Sequence, residues 1–229
     1  PVYENCASHE KMIGQLAGGI LPYIFIAFGF IGCMYPAIDL FTGEKERGTI
    51  ETLLTTPVSR WQILVGKMMV VVLSGMLAAS CALIGLFVSI EFLDIVHNEE
   101  ILKIVHGILT PSFILAMFSL LLPLVVFFAG VMIPIAVYAK SFKEAQSIIT
   151  PLNIVMVLPA MVGFFPGIAL NAVTASIPVV NIVLATKELI SGTLSIAYYC
   201  ISLGIMLILA VLAVTVSYRQ FGKEARILN

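Results

Sequence analysis

Charge is scarce in this chain. Asp, Glu, Lys and Arg make up 11% of its 229 residues, and the formal net charge is −1. A soluble domain carries roughly 25% charged residues, so a solvated globular surface is excluded. No basic tract is present, which removes the electrostatic footprint that nucleic-acid binding needs. Cysteine is scarce too. Cys6, Cys33, Cys81 and Cys200 form no CxxC pair, and three of them fall inside apolar runs, as small packing residues do. His9, His97 and His106 lack the spacing of metal ligands. The phosphate-cradling G-x-x-x-x-G-K-[ST] is missing: Gly66-Lys67 and Gly222-Lys223 are followed by Met and Glu. No Ser/His/Asp set or carboxylate pair lies within the apolar runs, which argues against an intramembrane hydrolase. The chain reads as a non-enzyme with no cofactor of its own.

What the chain has is apolar length. Sixty per cent of its residues are hydrophobic. Uncharged runs cover Met12–Ile38, Met68–Ile90, Gly107–Ala139, Ala145–Thr186 and Leu189–Tyr218. A spanning helix needs about 20 mostly apolar residues, whereas a membrane barrel would show roughly ten-residue alternating segments. The fold class is therefore all-α, a polytopic membrane helical bundle. Cations set its orientation. The loop around 42–67 holds Lys45, Arg47, Arg60 and Lys67; the loop 139–147 holds Lys140 and Lys143; the tail holds Arg219, Lys223 and Arg226. The linker 91–106 is acidic. These loops and the C-terminus are expected in the cytoplasm of a cell-membrane protein, with the N-terminus outside.

Ala145–Thr186 is long enough for two crossings, but two would carry the basic tail to the outside. Its second half is also broken by Pro166-Gly167, Pro178 and Gly192, with Asn171 and Asn181 between. One span near 147–165 followed by a re-entrant or interfacial segment, 166–190, is expected. That leaves five spans, near 14–40, 61–90, 110–139, 147–165 and 194–217. Ser59-x-x-Gln62 and Ser141-x-x-Glu144 have capping-box spacing at the starts of the second and fourth. Pro123 and Pro134 are expected to kink the third, and Pro159 the fourth. The chain begins at Pro1 with no basic region before its first apolar run, which reads as the C-terminal part of a longer protein; residues 1–13 would close an extracellular region.

The charge that exists is concentrated. Glu44, Lys45, Glu46, Arg47, Glu51, Arg60 and Lys67 crowd the interval between the first two spans. Ile50, Leu53 and Leu54 recur at helical spacing, and Pro57 ends the pattern. A short amphipathic helix over 44–57 is expected along the membrane surface, weakened in the middle by Gly48. Two readings stand. An interfacial anchor is one, although anchors favour cations on the polar face. A docking element is the other, because mixed charge suits a complementary protein surface.

The stretch GEKERGTIETLLTTPVSRWQILVGK resembles the first cytoplasmic loop of type-2 ABC exporter permeases. MYPAIDLFTGEKERGTIETLLTTPVSR is especially similar to their sodium-extrusion branch. The resemblance covers most of residues 1–229 as one ABC-2 type transmembrane domain, without the first of the family's six spans. It implies a coupling helix gripped by a separate ATP-binding subunit, which would carry the ATP and Mg²⁺. Glu44, Glu46, Arg47, Gly48, Thr49, Glu51 and Leu54 would form the coupling element, and Ser141, Lys143 and Glu144 a smaller cytoplasmic contact. It further implies a second permease copy, as homodimer or related heterodimer. A lipid or drug exporter would look much the same, and a non-transporting sensor or scaffold is the reading from another class. For a Na⁺ path the chain offers Asp39, Asn153, Asn171 and Asn181; Asp39 reads first as an interfacial charge at the inside end of its span, and Asn171 and Asn181 read equally as caps of broken helices.

Overall fold

The computed structural model describes residues 9–49, 57–92 and 110–227, with side-chain surroundings for 18–49, 57–89 and 110–221. Among them, five helical stretches are long and apolar enough to cross a membrane. Helix α1 is His9–Ile38 and runs on through a π turn, Asp39–Gly43, into one α turn, Glu44–Glu46. Helix α2 is Arg60–Phe92, and α3 is Pro111–Tyr138. Helix α4, Phe142–Val157, continues as a 3₁₀ helix over Leu158–Phe164. Helix α5, Val180–Ile190, is followed by α6, Ile196–Ile227. At about 1.5 Å per residue, the 11 residues of α5 reach only about half a bilayer core.

Local chemistry sets these boundaries. Ser59 and Gln62 close a reciprocal cap: Ser59 N–H donates to Gln62 Oε1 at 3.1 Å, and Gln62 N–H donates to Ser59 Oγ at 3.3 Å. Ser141 caps α4, accepting from Glu144 N–H at 3.2 Å, while Glu144 Oε2 reaches back to Lys140 N–H at 2.8 Å. Helix-start N–H groups have no intrahelical partner, so such caps matter most near a bilayer. The fourth span tightens from α to 3₁₀ geometry where Pro159 removes a donor. Pro123 and Pro134 sit inside α3, which stays helical through both.

α1 and α3 form the centre, with Ile26, Phe30, Leu124, Phe128 and Met132 almost fully buried. Phe30 meets Phe128 edge-on at 5.1 Å between centroids. α1 packs against α2, and α3 against α6, by close approach at small residues. A Cβ on Gly75 of α2 would lie 2.4 Å from Cys33 Sγ and 3.0 Å from Gly29 O; one on Gly130 of α3 would lie 2.6 Å from Ala213 Cβ.

The segment expected to be re-entrant or interfacial holds no helix long enough to cross a membrane. Asn171 Oδ1 accepts the N–H groups of Val173 and Thr174 at 2.9 Å each, so it caps a turn. Val179, at φ 71°, then redirects the chain into α5, a conformation that is strained for a β-branched residue. Residues Val180–Thr186 of α5 are buried against α1 and the 3₁₀ turn. Lys187 Nζ donates to Phe165 O at 2.8 Å, and Glu188 Oε1 accepts from Leu170 N–H at 2.6 Å, tying α5 to the loop before it. Burial holds the Lys187 ammonium below its usual pKa, with Glu188 pulling the other way.

Candidate functional site: the charged end of the bundle

The two loops that the sequence marks by their charge meet in space. α1 arrives at Asp39–Glu46, α2 departs at Arg60, and α3 and α4 join around Ala139–Ser141 at the same end. The opening of α1 into a π turn admits an extra residue per turn and re-aims the residues beyond it. Thr42 Oγ1 donates to Ala136 O at 2.6 Å, and Lys45 Nζ donates to Val137 O at 3.0 Å, both at the end of α3. Glu46 Oε1 accepts the Phe142 N–H at 3.0 Å, at the start of α4. Glu44 pairs with Lys67 of α2. Lys67 Nζ also donates to Leu40 O at 2.6 Å and stands 5.0 Å from the centre of the Phe41 ring. Phe41 in turn meets Phe221 of α6 edge-on at 5.9 Å.

Two ion pairs here differ in kind. Asp39 and Arg47 pair at 3.1 Å with both side chains more than half exposed, so solvent screens them. The Lys67 and Glu44 side chains are 10% and 22% exposed, and each would be costly to leave alone in a low-dielectric setting. Gly43 lets the outer pair close over the turn: a Cβ there would lie 2.8 Å from Asp39 Oδ1.

The sequence expectations fare unevenly. Glu44, Glu46, Arg47 and Thr49 are brought together with Ser141 and Glu144 around one corner. Lys143 and Thr49 are exposed there. Glu51 and Leu54, with half of the 44–57 helix, lie outside the described residues. The expected start of that helix needs correction. Glu44–Glu46 end α1 rather than open a new helix, and Gly48 stands at φ 69° in the turn beyond. A residue in that conformation cannot sit mid-helix, so Gly48 stops a helix instead of weakening one. Glu44 and Glu46 therefore face the unfavourable end of the helix dipole, and direct bonds to Lys67 and Phe142 N–H offset this.

The four candidates for a Na⁺ path do not come together. Asp39 belongs to the charged corner, paired with Arg47. Asn171 caps a turn and Asn181 is fully buried at the start of α5, both toward the opposite end. The Asn181 amide holds Ile182 N–H at 2.8 Å and Ser202 O at 3.4 Å. Asn153, on α4, leaves its buried Nδ2 without a partner. Sequence reasoning missed Lys67, Thr42 and Lys45 as bonding groups. Lys67, counted among loop cations, lies two turns inside α2. Its signal was a cation at the edge of an apolar run, which in a membrane demands a partner. Among the described residues no group of three His, Cys, Asp or Glu side chains could hold a metal ion. The corner is built of bonds between spans.

The family model described as ABC-2 family transporter protein matches residues 3–226. The ABC transporter permease protein NatB of Bacillus subtilis (strain 168) is 30% identical over 167 residues, which cover 72% of this chain and 41% of that relative. The match thus spans about two fifths of the length of the curated relative. No solved structure matches the chain.

Proposed function

The chain belongs to the ABC-2 transporter family, and we infer that it is the membrane-spanning permease of an ATP-driven exporter whose ATP-binding subunit is a separate chain. Its five apolar helices make it a multi-pass membrane protein. In this reading the charged end faces the cytoplasm, because cations are retained there. The observation that carries the reading is the Glu46–Phe142 bond, which joins the loop after α1 to the turn before α4. A motor pressing on either moves both.

The coupling element comprises Glu44, Glu46, Arg47, Gly48 and Thr49, with Glu51 and Leu54 continuing it. Ser141, Lys143 and Glu144 form the second contact. Of these, Glu46, Arg47, Gly48, Thr49, Lys143 and Glu144 are exposed, while Glu44 serves within the chain. ATP and Mg²⁺ bind on the partner, and a second permease copy completes the path. Na⁺ is the proposed substrate, supported by the resemblance of Met34–Arg60 to the sodium-extrusion branch.

An apolar substrate is the second reading. A cavity of about 240 Å³ between α1, α2 and α3 is walled by Phe25, Phe87, Phe113, Met117 and Phe118, with Ser80 beside them. Efflux of ²²Na⁺ and of a hydrophobic dye, measured from vesicles carrying the permease and its ATP-binding subunit, separates the two. ATP-dependent ²²Na⁺ loss without dye loss supports Na⁺, and the reverse overturns it. If no ATP-binding subunit co-purifies, the exporter reading fails.

A further inference from the structure

Three consecutive side chains at the end of α1 are bonded to three different spans. Glu44 holds Lys67 of α2, Lys45 donates to the Val137 carbonyl near the end of α3, and Glu46 holds the first N–H of α4. The turn before them adds Thr42 to α3 and Phe41 to α6. A loop that only connected two spans would need none of these bonds.

Lys67 is the costliest member. It places an ammonium two turns inside an apolar helix, where charge is tolerated only with dedicated partners. Its partners all come from the π turn and the residues beside it: the Leu40 carbonyl, the Phe41 ring and the Glu44 carboxylate. A π turn is a single-turn irregularity that can shift register within a helix. Such a shift would re-aim Glu44–Glu46, and α2, α3 and α4 would move with them through their bonds.

We propose that the Glu44–Lys67 pair is a transmission joint: it locks α2 to the turn that receives the motor's push, with Lys67 as a positioning residue that meets neither nucleotide nor substrate. This rests on the permease reading above and deepens it. Glu44 thereby leaves the docking surface and becomes an internal lever arm. The exposed Asp39–Arg47 pair closes the outside of the turn and bonds to no other span among the described residues.

The test uses the complete transporter with its ATP-binding subunit, in a background lacking Cys6, Cys33, Cys81 and Cys200. Spin labels go on the exposed positions Ile84→Cys of α2 and Ile154→Cys of α4. The label separation is measured with and without trapped ATP. In the parent, ATP shifts the separation. Removing both charges with Glu44→Gln and Lys67→Met leaves no buried charge unpaired, so this double variant folds. It is expected to insert, retain the ATP-binding subunit and hydrolyse ATP, yet lose the shift. Lys67→Arg is expected to keep the shift, and the exchange Glu44→Lys with Lys67→Glu to recover part of it. A double variant that shifts like the parent makes the pair structural only and overturns the joint. One that loses the bound subunit together with the shift makes Glu44 a docking contact and overturns it too. A parent that holds no ATP-binding subunit overturns the permease reading, a result distinct from both.

Discussion

At the scale of single residues, two ion pairs a few residues apart have opposite weight. Lys67→Met strands a partly buried Glu44 carboxylate, and it should cost about 1–3 kcal/mol. The neutral pair Glu44→Gln with Lys67→Met should recover most of that loss. Arg47→Ala opens a pair exposed on both sides and should cost at most about 1 kcal/mol. Thermal unfolding in detergent ranks the three, and equal losses for Lys67→Met and Arg47→Ala would contradict the burial argument. The sequence marks both pairs only as charges in a loop. It carries no sign of which carboxylate turns inward, because Glu44 and Lys67 are 23 positions apart and their meeting depends on how α1 packs on α2.

At the scale of elements, glycines divide by what surrounds them. Gly75→Leu drives a side chain into Cys33 and the Gly29 carbonyl, and Gly130→Leu into Ala213. Each should separate a helix pair and abolish the monodisperse peak in size-exclusion chromatography. Gly66→Ala and Gly85→Ala, with nothing within 4 Å, should fold normally and gain up to about 1 kcal/mol of helix propensity. Ser141→Ala removes the cap of α4 and should cost about 1 kcal/mol, read as a lower melting temperature. Both capping boxes were legible, because a cap is a contact between residues three apart. The close contacts were not: Gly75 meets Cys33, and Gly130 meets Ala213, across helices far apart in the chain.

At the scale of the whole molecule, the five spans place the charged loops at one end and α5 with its tethers toward the other. If cations fix the orientation, Ser141→Cys should react with an impermeant maleimide only from the cytoplasmic side. Thr174→Cys, in the loop before α5, should react only from outside. The reverse pattern would remove the charged corner from any cytoplasmic motor. The five spans were readable because hydrophobic length is a property of the linear chain. The burial of α5 was not, since an 11-residue helix of this composition could equally lie on the membrane surface.

By itself the sequence determined the class, the five apolar stretches, the two capped helix starts and the concentration of charge, all of which are written in runs and spacings along the chain. Only the tertiary structure decided that Glu44 faces Lys67, that Glu46 caps a helix 96 positions away, and that Gly48 ends a helix. Those outcomes depend on which surfaces come within bonding distance. Packing of α1 against α2, α3 and α4 sets that, and no local pattern encodes it.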